Sequence, residues 1–484
     1  MSDNPGAAKP ATSSPIPHGR IRRTMPLAGF TARAAGGRLV AGLREKAGDA
    51  GAVDRFHEKT AERYAELLGH SKGVLMKAGQ IFSTLDTSLS GSLTPYARAL
   101  TRLQTQSPPM DSSLARQVLQ DDLGREVGEL FAEFDDEPIS SASIGQVHRA
   151  TLHDGRRVAV KIQYPGVAQA IRDDLANTEL LATFLRVALS AAGIYSQADL
   201  RGIAAEIADR IGEEIDYRNE AANIRAFGDL YRDHPFIRVP ELVDEASGEQ
   251  VLTMTFVDGI GWDQVQKAGQ DLKDTWSEAL WRFVYGSFQH SSLYHADPHP
   301  GNYRFGLDGS IGVVDFGCVK VFPEFQRYGW TLMGQAMFRG DRSGLRRLAV
   351  EYGVLPSNSA ASADEAYSWI TGFSPGLSLA QPVRYTPELM EEFLAAVNIS
   401  NPNAGSRYLT IPPDMFMLSR ITMGVTSSMT TLGATVNLRA ILCDMAGVDE
   451  PSTPLGVQHV AWVRERGLPF GLDPREQPKV GAQL

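Results

Sequence analysis

Two aspartates and an asparagine stand in a fixed rhythm between His295 and Gly317. Asp297 comes first, Asn302 five positions on, and Asp315 opens Asp315-Phe316-Gly317. Phosphoryl transfer from a nucleotide needs such a set. One carboxylate orients or deprotonates the acceptor, and a carboxylate with an amide oxygen holds magnesium against the phosphates. Asp297 fits the first role, Asn302 and Asp315 the second. Asp-Phe-Gly alone is a weak signal, and a Pro-Gly-Asn turn is ordinary; order and spacing together carry the reading. His295 and His299 flank Asp297 at a spacing that also occurs in metal sites, but Pro298 and Pro300 forbid the continuous helix that would face them together.

These groups need elements to hold them. Tyr303-Arg304-Phe305, the turn Asp308-Gly309, and Ile311 to Val314 read as a β-hairpin that presents Asp315 at its end. Upstream, Ile139-Ser140-Ser141-Ala142-Ser143-Ile144-Gly145-Gln146-Val147 reads as a small-residue turn between strands, open enough for backbone amides to approach phosphates. After the turn Asp154-Gly155, Val158-Ala159-Val160-Lys161 ends a β-branched run with a lysine, like the strand that brings a kinase its phosphate-binding lysine. Where a protein kinase has GxGxxG, this chain has one glycine, Gly145, and side chains there restrict the backbone. Such a lysine needs a carboxylate on a helix. Glu214, Asp216 and Glu220 are candidates, with Glu220 one turn beyond Asp216 on the same face. The distance from Lys161 to Glu220 implies a helical insertion, 167–194. The strand 251–257, containing Met254 and Phe256, reads as a hinge whose backbone meets the adenine edge of ATP or ADP.

The chain of 484 residues is 43% hydrophobic and 21% charged, an ordinary globular composition long enough for two or three lobes. A net charge of −10 argues against a nucleic-acid platform. Two distant cysteines, Cys318 and Cys443, suggest neither a disulfide framework nor a cysteine zinc site, and imply an intracellular protein. There is no apolar signal region and no run of about 18 apolar residues, so membrane contact is expected to be peripheral. Residues 1–51 carry eight basic and three acidic side chains, a basic arm expected to be largely disordered and able to touch anionic lipid. Residues 52–110 follow a helical pattern that includes Lys77-Ala78-Gly79-Gln80. Residues 111–257 mix strand and helix, 258–450 are mainly helical, and 451–484, with further prolines, read as an irregular tail.

With these residues in place, the chain resembles the UbiB-like atypical kinases, also called the AarF family, over roughly 55–445. Lys77-Ala78-Gly79-Gln80 matches the KxGQ signature, Ser141-Ala142-Ser143 with Ile144-Gly145-Gln146-Val147 the Ala-rich loop, Glu214-Ile215-Asp216 the ExD motif, and His295 to Asn302 the catalytic loop. The resemblance implies an α+β, bilobal protein kinase-like fold with an added N-terminal helical extension packed over the active site. By analogy Lys77 and Gln80 gate that site by pairing with Glu214 and Asp216, which leaves Glu220 to Lys161. A gate of that kind would block a peptide and favour ATP hydrolysis or phosphorylation of a small molecule with Mg2+. The expected setting is isoprenoid quinone metabolism, with lipid and quinone-biosynthesis proteins as partners, in the cytoplasm or at the inner membrane surface. The chain departs from the pattern at Ser140 and Ser141, where the family has alanines, and lacks the terminal membrane helices of many bacterial relatives.

Overall fold

A computed structural model describes residues 40, 43–49, 51, 55–56, 58–59, 110–141, 144–175, 208, 212–213, 215–372, 376–377, 379–397 and 413–471. Asp111 starts helix α1 (Ser112–Leu123), its carboxylate accepting from Ser113 N–H, and Gly124 ends it in the left-handed conformation. One helical turn, α2 (Val127–Leu130), leads into β1 (Phe131–Phe134), β2 (Ser140–Ser141), β3 (Gly145–Leu152) and β4 (Arg157–Gln163). Helices α3 (Val167–Leu175) and α4 (Tyr217–Leu230) and strand β5 (Ile237–Arg238) precede β6 (Val251–Thr255). Strands β1, β3, β4 and β6 form one antiparallel sheet in that order, with β2 paired to β3.

The period-two alternation of the strands divides this sheet into two faces. Val158, Val160 and Ile162 pack with Ala150 and Leu152 under Ala115, Val118 and Leu119 of α1. The other face carries Ala159 and Lys161, with Val147 directly across from Lys161 on β3 and Leu252 across from it on β6. β4 continues two residues beyond Lys161 instead of ending there.

The remainder is mainly helical. A short α5 (Trp262–Val265) precedes α6 (Gln270–Ser291), which buries Trp276, Trp281, Phe283, Val284 and Phe288 around its circumference and so runs through the core. Four short strands follow: β7 (Leu293–His295), β8 (Tyr303–Phe305), β9 (Ile311–Val313) and β10 (Val319–Val321). β8 and β9 form the antiparallel hairpin, β9 runs parallel to β5, and β10 pairs with β7. Helices α7 (Glu324–Phe338), α8 (Arg342–Glu351) and α9 (Ala363–Thr371) build a satellite core around Leu345 and Ala366. The chain closes with β11 (Val383–Arg384), α10 (Pro387–Val397), α11 (Pro413–Leu432), β12 (Thr435–Val436), α12 (Leu438–Met445) and α13 (Pro454–Arg466).

The last helix corrects the expectation of an irregular tail over 451–484. Thr453 accepts from Gly456 N–H, Pro454 occupies the first turn, and Gly467 ends the helix with φ 61°. A proline at that position lacks only an N–H that would find no partner within the helix, so Pro454 favours a helix start instead of forbidding one. The greater part of the expected extension, 52–110, and of the expected insertion, 167–194, lies outside the described residues. No helix among the described residues is long and apolar enough to cross a membrane.

Candidate active site

Two backbone hydrogen bonds and one from a histidine side chain assemble the acidic stretch. Ala296 N–H donates to Cys318 O at 2.8 Å, Val314 N–H to Asn302 O at 2.9 Å, and His295 Nε2 lies 2.7 Å from Asp315 O. The two segments that carry Asp297 and Asp315 are thus stitched together beyond the open end of the β8–β9 hairpin. Phe316 is fully buried against Phe227 and His295, and Asn223 Nδ2 holds its carbonyl at 2.9 Å. Within the loop, Asn302 Nδ2 donates to Asp297 Oδ2 at 2.7 Å and to Asp297 O at 3.1 Å. That orients the amide with Oδ1 as its remaining acceptor. α11 supports the loop from outside: a Cβ on Gly424 would lie 2.3 Å from Pro298 Cγ, so only glycine lets the helix come this close.

Lys161 joins the sheet to this loop. Its Nζ donates to Glu220 Oε1 at 2.6 Å and to Asp315 Oδ2 at 3.0 Å. Glu220 belongs to the stripe of α4 that also buries Tyr217, Ile224 and Phe227, so its carboxylate is directed inward. The same Oε1 accepts from Phe316 N–H at 3.2 Å, and Asp315 Oδ1 accepts from Gly317 N–H at 3.0 Å. Burial disfavours the ammonium, but the carboxylates of Asp315 and Glu220 outweigh it and raise the lysine above its ordinary value. Two carboxylates share one cation here. Burial, with Asp315 nearby, accordingly pushes Glu220 up to about 7 against the pull of Lys161.

The structure therefore brings Lys161, Glu220 and Asp315 into direct contact, and Asp297 into contact with Asn302. Val147 lies on the same sheet face as Lys161. Ile139 and Ser140 to Ser141 lie on the exposed edge, with Ile139 N–H bonded to Val147 O at 2.8 Å. Ile144 is buried in the main core. Gly145 is a glycine for a packing reason: a Cβ there would lie 2.3 Å from Ile162 O.

Three expectations need correction. Gln146 does not face the cleft; alternation places it on the opposite face, where its Oε1 accepts from Met110 N–H at 2.8 Å and its Nε2 lies 2.9 Å from His148 Nε2. The backbone of Met254 and Phe256 is taken up by the sheet, Met254 in register with Ala159 and Phe256 N–H donated to Arg157 O. The first chain beyond the ladder is 257–259. Asp216 does not share a face with Glu220, because it is the exposed N-cap of α4 and accepts from Arg218 N–H at 3.0 Å. Ala142, Ser143, Lys77, Gln80 and Glu214 lie outside the described residues.

The sequence reading passed over Asn223, Gly424 and Tyr303. Tyr303 Oη is buried with no hydrogen-bond partner among the described residues, and burial together with the Asp297 carboxylate raises its pKa. The Asn223 and Gly424 contacts join segments far apart in the chain and leave no local pattern.

A small antiparallel sheet whose Lys161 pairs with Glu220 of α4, set against a mainly helical part whose loops present Asp297, Asn302 and Asp315-Phe316-Gly317, defines a protein kinase-like fold. Residues 102–349 match the ABC1 atypical kinase-like domain. A mouse protein named AarF domain-containing protein kinase 1 is 30% identical over 62% of this chain and 57% of its own length. The rat mitochondrial atypical kinase COQ8B is 34% identical over 55% of this chain and 49% of its own length. The Arabidopsis thaliana chloroplastic protein named Activity of BC1 complex kinase 8 is 34% identical over 57% of this chain and 38% of its own length. The match thus spans between 38% and 57% of these relatives. Among solved structures, that of Rv3197 with erythromycin, from Mycobacterium tuberculosis, aligns with a TM-score of 0.59 at 30% identity, covering 82% of this chain and 98% of that one. The chain belongs to the ABC1 atypical kinase-like family, the UbiB/AarF group.

Proposed function

We propose that the chain binds ATP or ADP with Mg2+ between the sheet and the Asp297 loop, and that it hydrolyses ATP or phosphorylates a small lipid-related acceptor in support of isoprenoid quinone metabolism. The observation that carries this reading is Lys161 held between Glu220 and Asp315 beside the Asp297–Asn302 pair. Asp315 and Asn302 Oδ1 would hold magnesium, a cation that commonly takes one or two protein oxygens and completes its shell with phosphate and water. When bound, it neutralises charge on the phosphates. Lys161 fixes the α- and β-phosphates, Glu220 fixes Lys161, and Asp297 orients water or the acceptor hydroxyl. Lys77 and Gln80, with Glu214 and Asp216, are proposed as a gate that keeps peptides out. The quinone setting draws on the family resemblance and on the relative named COQ8B. With it go a cytoplasmic site of action, peripheral contact at the inner membrane surface, and isoprenoid lipids or quinone-biosynthesis proteins as partners.

A second reading is a binder of lipids or proteins that uses nucleotide as a switch. It is favoured by the solved relative being a complex with erythromycin, a bulky lipophilic ligand. Magnesium-dependent phosphate release from ATP, measured with and without anionic liposomes, separates the two. Release that rises with liposomes and falls about 100-fold or more in Asp297→Asn supports the enzyme; nucleotide binding without release supports the switch.

A further inference from the structure

Strand β8 alternates, with Tyr303 and Phe305 buried in the core, so Arg304 between them projects to the other side of the hairpin. Two glycines strip that side of side chains. A Cβ on Gly312, the cross-strand partner of Arg304, would lie 2.2 Å from Val257 Cγ1. One on Gly259, where φ is +147°, would lie 2.8 Å from Phe305 N and 3.0 Å from Arg304 Cβ. Ile260 and Phe305 then exchange backbone hydrogen bonds at 2.9 and 3.1 Å. The chain leaving the sheet is thus laid directly on Arg304, two residues from Asn302.

The guanidinium in that corner is half-buried and has no counter-charge among the described residues. Nη1 donates to Gly301 O at 3.1 Å and Tyr303 O at 2.9 Å, both carbonyls, and no ion pair to Arg304 exists among the described residues. Arg282, buried deeper in α6, is by contrast matched by Asp444 and Glu278. A cation withdrawn from water without a partner is costly, and the guanidinium edge that makes no hydrogen bond among the described residues, Nε with Nη2, has the fork geometry that suits two oxygens of one oxyanion.

We propose that Arg304 forms an oxyanion subsite where the hinge meets the metal-binding loop, taking a phosphate group of the nucleotide or of an acceptor headgroup. The inference rests on the nucleotide-cleft reading above and adds a recognition residue to it. The two carbonyl bonds fix the plane of the guanidinium, and the glycines at 259 and 312 set its distance from the hinge.

The test uses the full chain and its Arg304→Gln and Arg304→Lys variants, each checked for a cooperative unfolding transition above the assay temperature. Binding of adenosine, ADP and ATP is measured by calorimetry, and binding to phosphatidic acid or phosphatidylcholine vesicles by sedimentation. For Arg304→Gln, a loss of about 10-fold for ADP and ATP with adenosine unchanged is expected if the nucleotide supplies the oxyanion. A loss confined to phosphatidic acid vesicles is expected if the headgroup does. In either case Arg304→Lys keeps part of the affinity. Equal losses for adenosine, ADP and ATP, or no loss with any probe, overturn the subsite. A wild-type chain that binds none of the nucleotides defeats the nucleotide reading instead, and the vesicle arm then decides Arg304 alone.

Discussion

Lys161 keeps its charge where burial alone would remove it, because two carboxylates converge on it. Removing the cation leaves Glu220 buried and beside Asp315, a like-charge arrangement. We therefore expect Lys161→Met to cost about 3–5 kcal/mol of stability. Adding Glu220→Gln removes the charge that the first substitution strands, so the double variant should lose less than the two single losses combined. Urea unfolding of the four proteins checks this, and additivity within about 0.5 kcal/mol contradicts the coupling. Asp297, Asn302, Asp315 and Lys161 were legible from short-range spacing, because each sits in a contiguous motif whose residue types are set by chemistry. Glu220 needed the family resemblance, since its contact with Lys161 spans a long insertion. Gln146 was assigned to the cleft because it adjoins Gly145, although strand alternation sends it to the other face. Arg304 was legible only as part of a hairpin; the close approach of the chain to it depends on Gly259 and Gly312, which no local pattern encodes.

At the level of elements, a chain of three histidines binds α13 to α6 and to β5. Phe236 and Ile237 N–H donate to His234 Nδ1 at 3.3 and 3.0 Å, so His234 carries its proton on Nε2, 3.0 Å from His459 Nδ1. His459 Nε2 then donates to His290 Nε2 at 3.0 Å, and His290 Nδ1 to Pro469 O at 2.7 Å. One direction of donation satisfies every nitrogen with all three rings neutral. Burial pushes His290 down to about 4 and His234 to about 2, with His459 lowered in the same way. The unfolded chain takes up protons on these groups as pH falls below the ordinary 6.5, and the folded chain does not. Stability is therefore full above that value and is lost as pH falls. Between pH 6.5 and 5 the loss should approach about 1.4 kcal/mol per pH unit for each such histidine. Denaturation midpoints measured across this range check it; a flat profile contradicts a neutral relay. The prolines after residue 450 suggest an irregular tail, but Thr453, Pro454 and Gly467 are helix start and stop signals, and the helix that contributes His459 lies between them.

Across the whole molecule, the sheet supplies the lysine and the helical part supplies the acids, and the cleft between them is set by where 257–260 rests on the β8–β9 hairpin. That pairing was legible because the lysine strand and the acidic loop each lie in a contiguous motif. The packing of the two parts was not, since it depends on glycines opposite distant side chains. Arg282 bonds Asp444 at 2.8 and 2.9 Å and joins α6 to α12, giving the helical part a rigid base on which the loop can stand. A magnesium-nucleotide site in this cleft has a sharp signature in calorimetric titration with ATP, with and without magnesium, of the wild-type chain beside Asp315→Asn. Magnesium should tighten ATP binding to the wild-type chain, and that gain should vanish in Asp315→Asn while metal-free binding persists. An equal magnesium effect in both proteins contradicts the assignment of Asp315 and, with it, the proposed site.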